Sequence, residues 1–277
     1  MERRATRLRT YQRDRRKFAC ICYTLTLSWL LLALLQWLLI SVIAQLTVVF
    51  IEYYWISLIF FVVAMVLVSI FVFYERVRAI TGLNWLMCLL IVEFVIIGVF
   101  NLAALSHWQE LLVWCFSCML LLFVFVLIGS IIPHDLTLDV VILFVLAFIF
   151  LIVTVWFAMI SILVKVPYSF VVYQLCIAIV VLLFVMYHAQ TINGGRFAEM
   201  RLNDYLLAAL ILFHDFTILF LLTFYQQLVL RFIAGATTTA RPVSQDIRGM
   251  GYFDPIIGPV EQDYVDDDDN NSTAAVQ

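Results

Sequence analysis

Residues 18–42 read FACICYTLTLSWLLLALLQWLLISV, an apolar run without one charged side chain. A helix of about 20 mostly apolar residues crosses the hydrocarbon of a bilayer, so the run predicts a transmembrane span from Phe18 to Val42. Directly before it stand Arg3, Arg4, Arg7, Arg9, Arg13, Arg15, Arg16 and Lys17. That flank is too basic, and the run too long, for a cleaved signal peptide. Residues 1–17 therefore read as a cytosolic segment leading into a retained first span.

The pattern repeats along the chain. Of 277 residues, 65% are hydrophobic and 13% charged, against roughly 45–50% and about 25% in soluble domains. One soluble core has no room for that excess. Charges and loop residues delimit further spans: between Glu52 and Glu75, from Asn84 to Ala104, from Glu110 to Ile132, from Asp139 to Val164, from Pro167 to Tyr187, and from Tyr205 to Leu230. The expected fold is all-α: a polytopic membrane protein whose seven transmembrane helices form a bundle over residues 18–231. Short connections make successive helices antiparallel neighbours. Residues 232–277, with Asp266 to Asp269, are acidic and too polar to bury a core, so disorder is expected there. Asn270-Asn271-Ser272 is a glycosylation sequon that matters only for a lumenal tail.

Charge fixes the orientation. With the N-terminus cytosolic, the eight basic residues of the flank share a side with Arg76, Arg78, Arg196 and Arg201, whereas the opposite loops hold Lys165 alone. The positive-inside rule orients six spans this way. The seventh carries Asp215 and is followed by Arg231, so whether it crosses or re-enters stays open.

Ionisable groups within spans are costly and usually face the bundle interior or a water path. Glu93, His188, His214 and Asp215 are such groups. Asp215, about ten residues into the last span, needs a partner, a cavity or a proton. His188 ends the sixth span, and histidine changes charge near neutrality. The two meet only if the sixth span runs further or the seventh starts later than drawn. His214 points about 100° away from Asp215. For Glu93 the expected partners are Asn101 on its own helix and the Arg76/Arg78 pair. The six cysteines lie in apolar segments and read as small buried residues; this includes Cys115 and Cys118, despite their redox- or zinc-like spacing. No phosphate-binding glycine loop, HExxH or Gly-x-Ser-x-Gly turn is present, so no enzymatic activity is expected.

The last two spans carry a pattern. Residues 187–190 read Tyr-His-Ala-Gln; residues 204–215 read Asp-Tyr-Leu-Leu-Ala-Ala-Leu-Ile-Leu-Phe-His-Asp; Pro133-His134-Asp135-Leu136-Thr137 precedes the fifth span. The chain resembles the Bax-inhibitor/Lifeguard family (transmembrane Bax inhibitor motif proteins) from about Thr10 to Phe232. The resemblance implies a seven-helix protein of endoplasmic reticulum or Golgi membranes that acts as a pH-sensitive calcium leak and suppresses cell death. It implies membrane lipid, calcium as transported ion and cell-death regulatory proteins as partners, with no nucleic acid and no cofactor or bound metal. In the family two Asp residues share a proton and an Arg latches onto the first. Carried over, Asp215 is the second Asp and Arg76, or alternatively Arg78, the latch. The first Asp is His188 here. A His–Asp pair attracts where two carboxylates repel, so any gating should differ in pH dependence. The alternative is a non-conducting scaffold acting through protein partners.

Overall fold

In the computed structural model the backbone is described for residues 2–164 and 169–238, and side chains for most of these up to Phe224. The tail from Thr239 on, the Asn270 sequon and Lys165 lie outside the described residues. Every regular element among the described residues is helical: α1 (Glu2–Val42), α2 (Ala44–Glu52), α3 (Tyr54–Phe73), α4 (Glu75–Ala79), α5 (Thr81–Gly98), α6 (Phe100–Ala104), α7 (Trp108–Ile131), α8 (Val140–Val164), α9 (Ser169–Asn193) and α10 (Tyr205–Thr238).

Six stretches are long and apolar enough to cross a membrane: Arg9–Val42, Tyr54–Phe73, Thr81–Ala104, Trp108–Ile131, Leu175–Asn193 and Tyr205–Phe224. The architecture is that of a multi-pass membrane protein. In α8 the apolar helix with described side chains is the shorter Val140–Val153.

The helices differ from the expected spans at their ends. Residues 2–17 are helical and run without a break into the first span as α1. The buried face of α1 explains why: Phe18, Ala19, Cys22, Thr26, Trp29, Leu30, Ala33, Trp37 and Ile40 recur at helical spacing. Carried back one turn, that stripe lands on Arg15. Beyond Val42 the chain breaks at extended Ile43 and restarts as α2. Thr47 Oγ1 donates to the Ile40 carbonyl at 2.6 Å across this break, satisfying an acceptor that the helix end would leave bare. At the other end of the chain, α10 runs through Arg231 to Thr238, past the expected stop at Leu230.

The core is an aromatic column. Trp37 of α1 stacks on Phe220 of α10 at 5.0 Å, and Phe216, Phe220 and Phe224 stack along α10. Small residues let other helices close up. A Cβ on Gly129 of α7 would fall 2.8 Å from the Met186 backbone of α9. A Cβ on Gly98 of α5 would fall 2.8 Å from Phe61 Cβ of α3. Cys22, Cys88, Cys115 and Cys118 are buried free thiols, whereas Cys20 is exposed and Cys176 half-buried.

Candidate functional site

The sixth span is longer than the sequence suggested, and this decides the site. α9 runs six residues beyond Tyr187, to Asn193, so His188 lies more than a turn inside the helix end, facing α10. Its Nδ1 is hydrogen-bonded with Asp215 Oδ2 at 2.7 Å, and the two side chains are 19% and 10% exposed. The pair thus bridges α9 and α10 inside the bundle, where a lone carboxylate would be costly. Phe184 and Tyr187 flank the imidazole at 6.2 and 5.4 Å between ring centroids, with Phe144 of α8 against Phe184. His214 stays out of the pair. Its Nδ1–H donates to Leu210 O at 2.8 Å, and Nε2 is buried without a partner among the described residues.

Glu93 does not meet Asn101 or the arginines. The Gln36 amide of α1 donates to its two carboxylate oxygens at 3.2 and 3.0 Å. Gln36 is the buried-side polar residue that the sequence reading passed over. It is the position before Trp37, in a run where every neighbour from Trp29 to Ile40 is apolar.

Nor does either candidate latch reach His188. Arg76 is exposed and makes no hydrogen bond or ion pair among the described residues. Arg78 folds back onto the end of α3, donating to Phe71 O at 2.9 Å and Val72 O at 2.5 Å. Its Nε lies 3.6 Å from Asp204 Oδ1 at the start of α10. A histidine offers an arginine no anion, and Asp204 supplies one nearby.

Two more arginines do the same work at this end of the bundle. Arg196 donates to Ile132 O at 2.5 Å and Pro133 O at 2.7 Å, just past α7. Arg15, only 4% exposed, donates to Thr191 O at 2.8 Å in the last turn of α9 and to Met200 O. α3, α7 and α9 all end here, and helix C-termini present unpaired carbonyls and partial negative charge. Arginines that bind those carbonyls satisfy both. Arg15 was counted with the basic flank; the signal that could have singled it out is its place on the buried stripe of α1.

The connection from α9 to α10 is tied down around Arg15. Gly194 and Gly195 turn the chain at φ +71 and +74, a region that L side chains rarely adopt. A Cβ on Gly194 would lie 2.3 Å from Arg15 Nε. Glu199 sits 3.6 Å from Arg15, accepts from Tyr11 Oη–H, and accepts from Gly195 N–H at 2.5 Å. Burial pushes the Glu199 carboxyl up. The Tyr11 hydroxyl, the Gly195 N–H and the Arg15 charge together outweigh that and hold it below its usual range.

The loop of residues 132–139 docks on the same connection. Asp135 accepts from the Thr137 hydroxyl at 2.6 Å and from Phe197 N–H at 3.0 Å. Chiefly through Thr137, these bonds hold its carboxyl below the usual range. Gln190 ties α9 to this loop: its Oε1 accepts from Leu136 N–H and its amide donates to His134 O, both at 2.8 Å. The Tyr-His-Ala-Gln stretch therefore touches both other quoted stretches, the His toward α10 and the Gln toward residues 133–137.

Beside Arg78 a polar cleft of about 410 Å³ opens at this end, lined by Glu75, Arg78, Asn84, Arg201, Asp204 and neighbours. Arg201 and Glu75 pair across its rim.

Fold and contacts together define the class: an all-helical, multi-pass membrane protein with a part-buried histidine–carboxylate pair. No family model, no curated protein and no solved structure matches the chain.

Proposed function

We propose that this chain is a seven-span membrane protein conducting a pH-dependent cation leak, with calcium the expected ion. In this reading α8 is the remaining span and the arginine-capped end faces the cytosol. The observation that carries it is the 2.7 Å contact between His188 and Asp215. With the imidazole protonated the pair is neutral overall. With it unprotonated, one carboxylate charge is left in the bundle to attract a cation. Few other groups compete. Tyr187 is beside His188 on α9, His214 is engaged with Leu210, and Arg15 of α1 reaches α9 three residues further on, at Thr191 O. Glu93 with Gln36 supplies a second carboxylate between α1 and α5. Arg78, held to Asp204, takes the place of the latch at the mouth. As the resemblance implies, such a leak would adjust intracellular calcium stores and restrain cell death.

The test is calcium efflux from liposomes between pH 5 and 8. Flux should change with pH across this range, and His188→Asp should change the profile. Identical native and mutant profiles with a normal leak would refute the role of the pair. One observation favours a second reading. The stacked column of Trp37, Phe216, Phe220 and Phe224 fills the bundle beyond Asp215. A permanently filled bundle is what a non-conducting scaffold for cell-death regulators would have, and it would give no flux at any pH.

A further inference from the structure

At the end of the bundle remote from Arg15, a cleft of about 250 Å³ opens between α3 and α5. It is lined by Tyr54, Ser57, Leu58, Phe61, Gly98 and Asn101, with Leu221 of α10 behind. Ser57 is 2% exposed, yet its hydroxyl has no hydrogen-bond partner among the described residues. This sets it apart. The hydroxyls of Ser28, Ser69, Ser117, Ser130 and Thr217 each donate to the carbonyl four residues back.

For Ser57 that carbonyl belongs to Tyr53, where the chain breaks between α2 and α3 at φ −105, ψ 45. The Tyr53 carbonyl is turned to the Ile56 N–H instead, at 3.0 Å. The Ser57 hydroxyl is left without that bond, on a residue that lines the cleft. The half-buried Asn101 side chain also lines the cleft, with an amide that can both donate and accept. A buried polar group without a partner is costly, and a ligand hydroxyl, both donor and acceptor, would answer both groups.

The rest of the lining says what carries that hydroxyl. It holds no charged side chain. The cleft opens onto the outward face of α3, where Leu58, Val62 and Met65 are 59%, 54% and 47% exposed. In a membrane protein that face meets lipid tails. Tyr54 and Trp55 begin the helix, and such residues favour the headgroup level. Ser57 then lies about 3–5 Å deeper, within reach of a small uncharged head, and the lining offers no cation to a phosphodiester. A stiff apolar body would lie along Leu58, Val62 and Met65.

We propose that the cleft binds a sterol, whose hydroxyl hydrogen-bonds with Ser57 and Asn101. The test uses the full chain in liposomes containing a photoreactive, clickable cholesterol. Labelling should map to residues 54–61 and 98–101, and unlabelled cholesterol should compete for it better than diacylglycerol or phosphatidylcholine. Ser57→Ala should lower it about fivefold, the usual effect of one lost hydrogen bond. That variant only removes an unpaired hydroxyl, so its melting temperature without sterol should be unchanged or higher. Labelling spread over all lipid-facing helices, labelling untouched by Ser57→Ala, stronger competition by diacylglycerol, or cross-linking of α3 to a second copy would each overturn the proposal.

Discussion

Replacing Arg15 by alanine tests whether this buried guanidinium holds the α9–α10 connection to the bundle. Arg15 is 4% exposed and binds the carbonyls of Thr191 and Met200, with Glu199 at 3.6 Å and the Phe18 ring 5.1 Å from its guanidinium carbon. A hydrogen bond to a charged group contributes about 1.5–3 kcal/mol. Two give roughly 3–6 kcal/mol, and the unpartnered Nε favours the lower end, about 3 kcal/mol. Local opening of residues 194–204 should then become about a hundredfold more populated, since each 1.4 kcal/mol is a factor of ten. Trypsin reports this directly, because Arg196 and Arg201 lie within the connection, and cleavage follows the open population when reclosing is fast. Arg15→Lys should recover only part of the effect, since an ammonium lacks the planar fork that reaches two carbonyls at once. Arg16→Ala, at an exposed position one residue on, is the control and should change cleavage little. Equal cleavage rates for Arg15→Ala and Arg16→Ala would refute the reasoning.

Three more outcomes follow from the same geometry. Gly194→Ala should destabilise more than Gly195→Ala in thermal melts, because both meet strain at positive φ, of order 1–3 kcal/mol, but only Gly194 would also strike Arg15. Hydrogen exchange at the Phe197 and Ala198 amides should quicken, after correction for intrinsic rates, as pH falls. Asp135 and Glu199 have folded values held below the ordinary 3.8 and 4.5, so their contribution is complete above those values and is lost on acidification through the lower folded ones; Asp135→Asn with Glu199→Gln should flatten the response. His188→Leu should cost up to about 3 kcal/mol by stranding a buried carboxylate, while His188→Leu with Asp215→Leu should cost much less; a double variant as unstable as the sum of the singles would show that the two side chains are not coupled.

Much of the site depended on where helices stop. His188 directly follows Tyr187, where the apolar run stops, so charges and loop residues ended the sixth span there. The helix continues because Gln190 and Asn193 find partners in the 130–137 region, contacts that no local pattern encodes. The extra turn is what aligns His188 with Asp215. Glu93 was legible as an intramembrane carboxylate, but its partner was not, since Gln36 lies 57 positions away in sequence. Arg78 was legible as a basic residue at the end of a span, but its choice of Asp204 over His188 rests on the fold.

What the sequence determined by itself is the class of molecule. Apolar runs of bilayer length, starting with residues 18–42, leave helices as the only way to satisfy the backbone in lipid, and the clustering of arginines at one end follows from the same chain. Tertiary structure alone decided which of those arginines is buried, which helix end each one caps, and that a histidine and an aspartate 27 positions apart come within 2.7 Å. Hydrophobicity is a property of each segment and can be read along the chain. Polar pairing inside the bundle is a property of two segments at once, fixed by helix length, rotation and close approach, and it exists only when they pack.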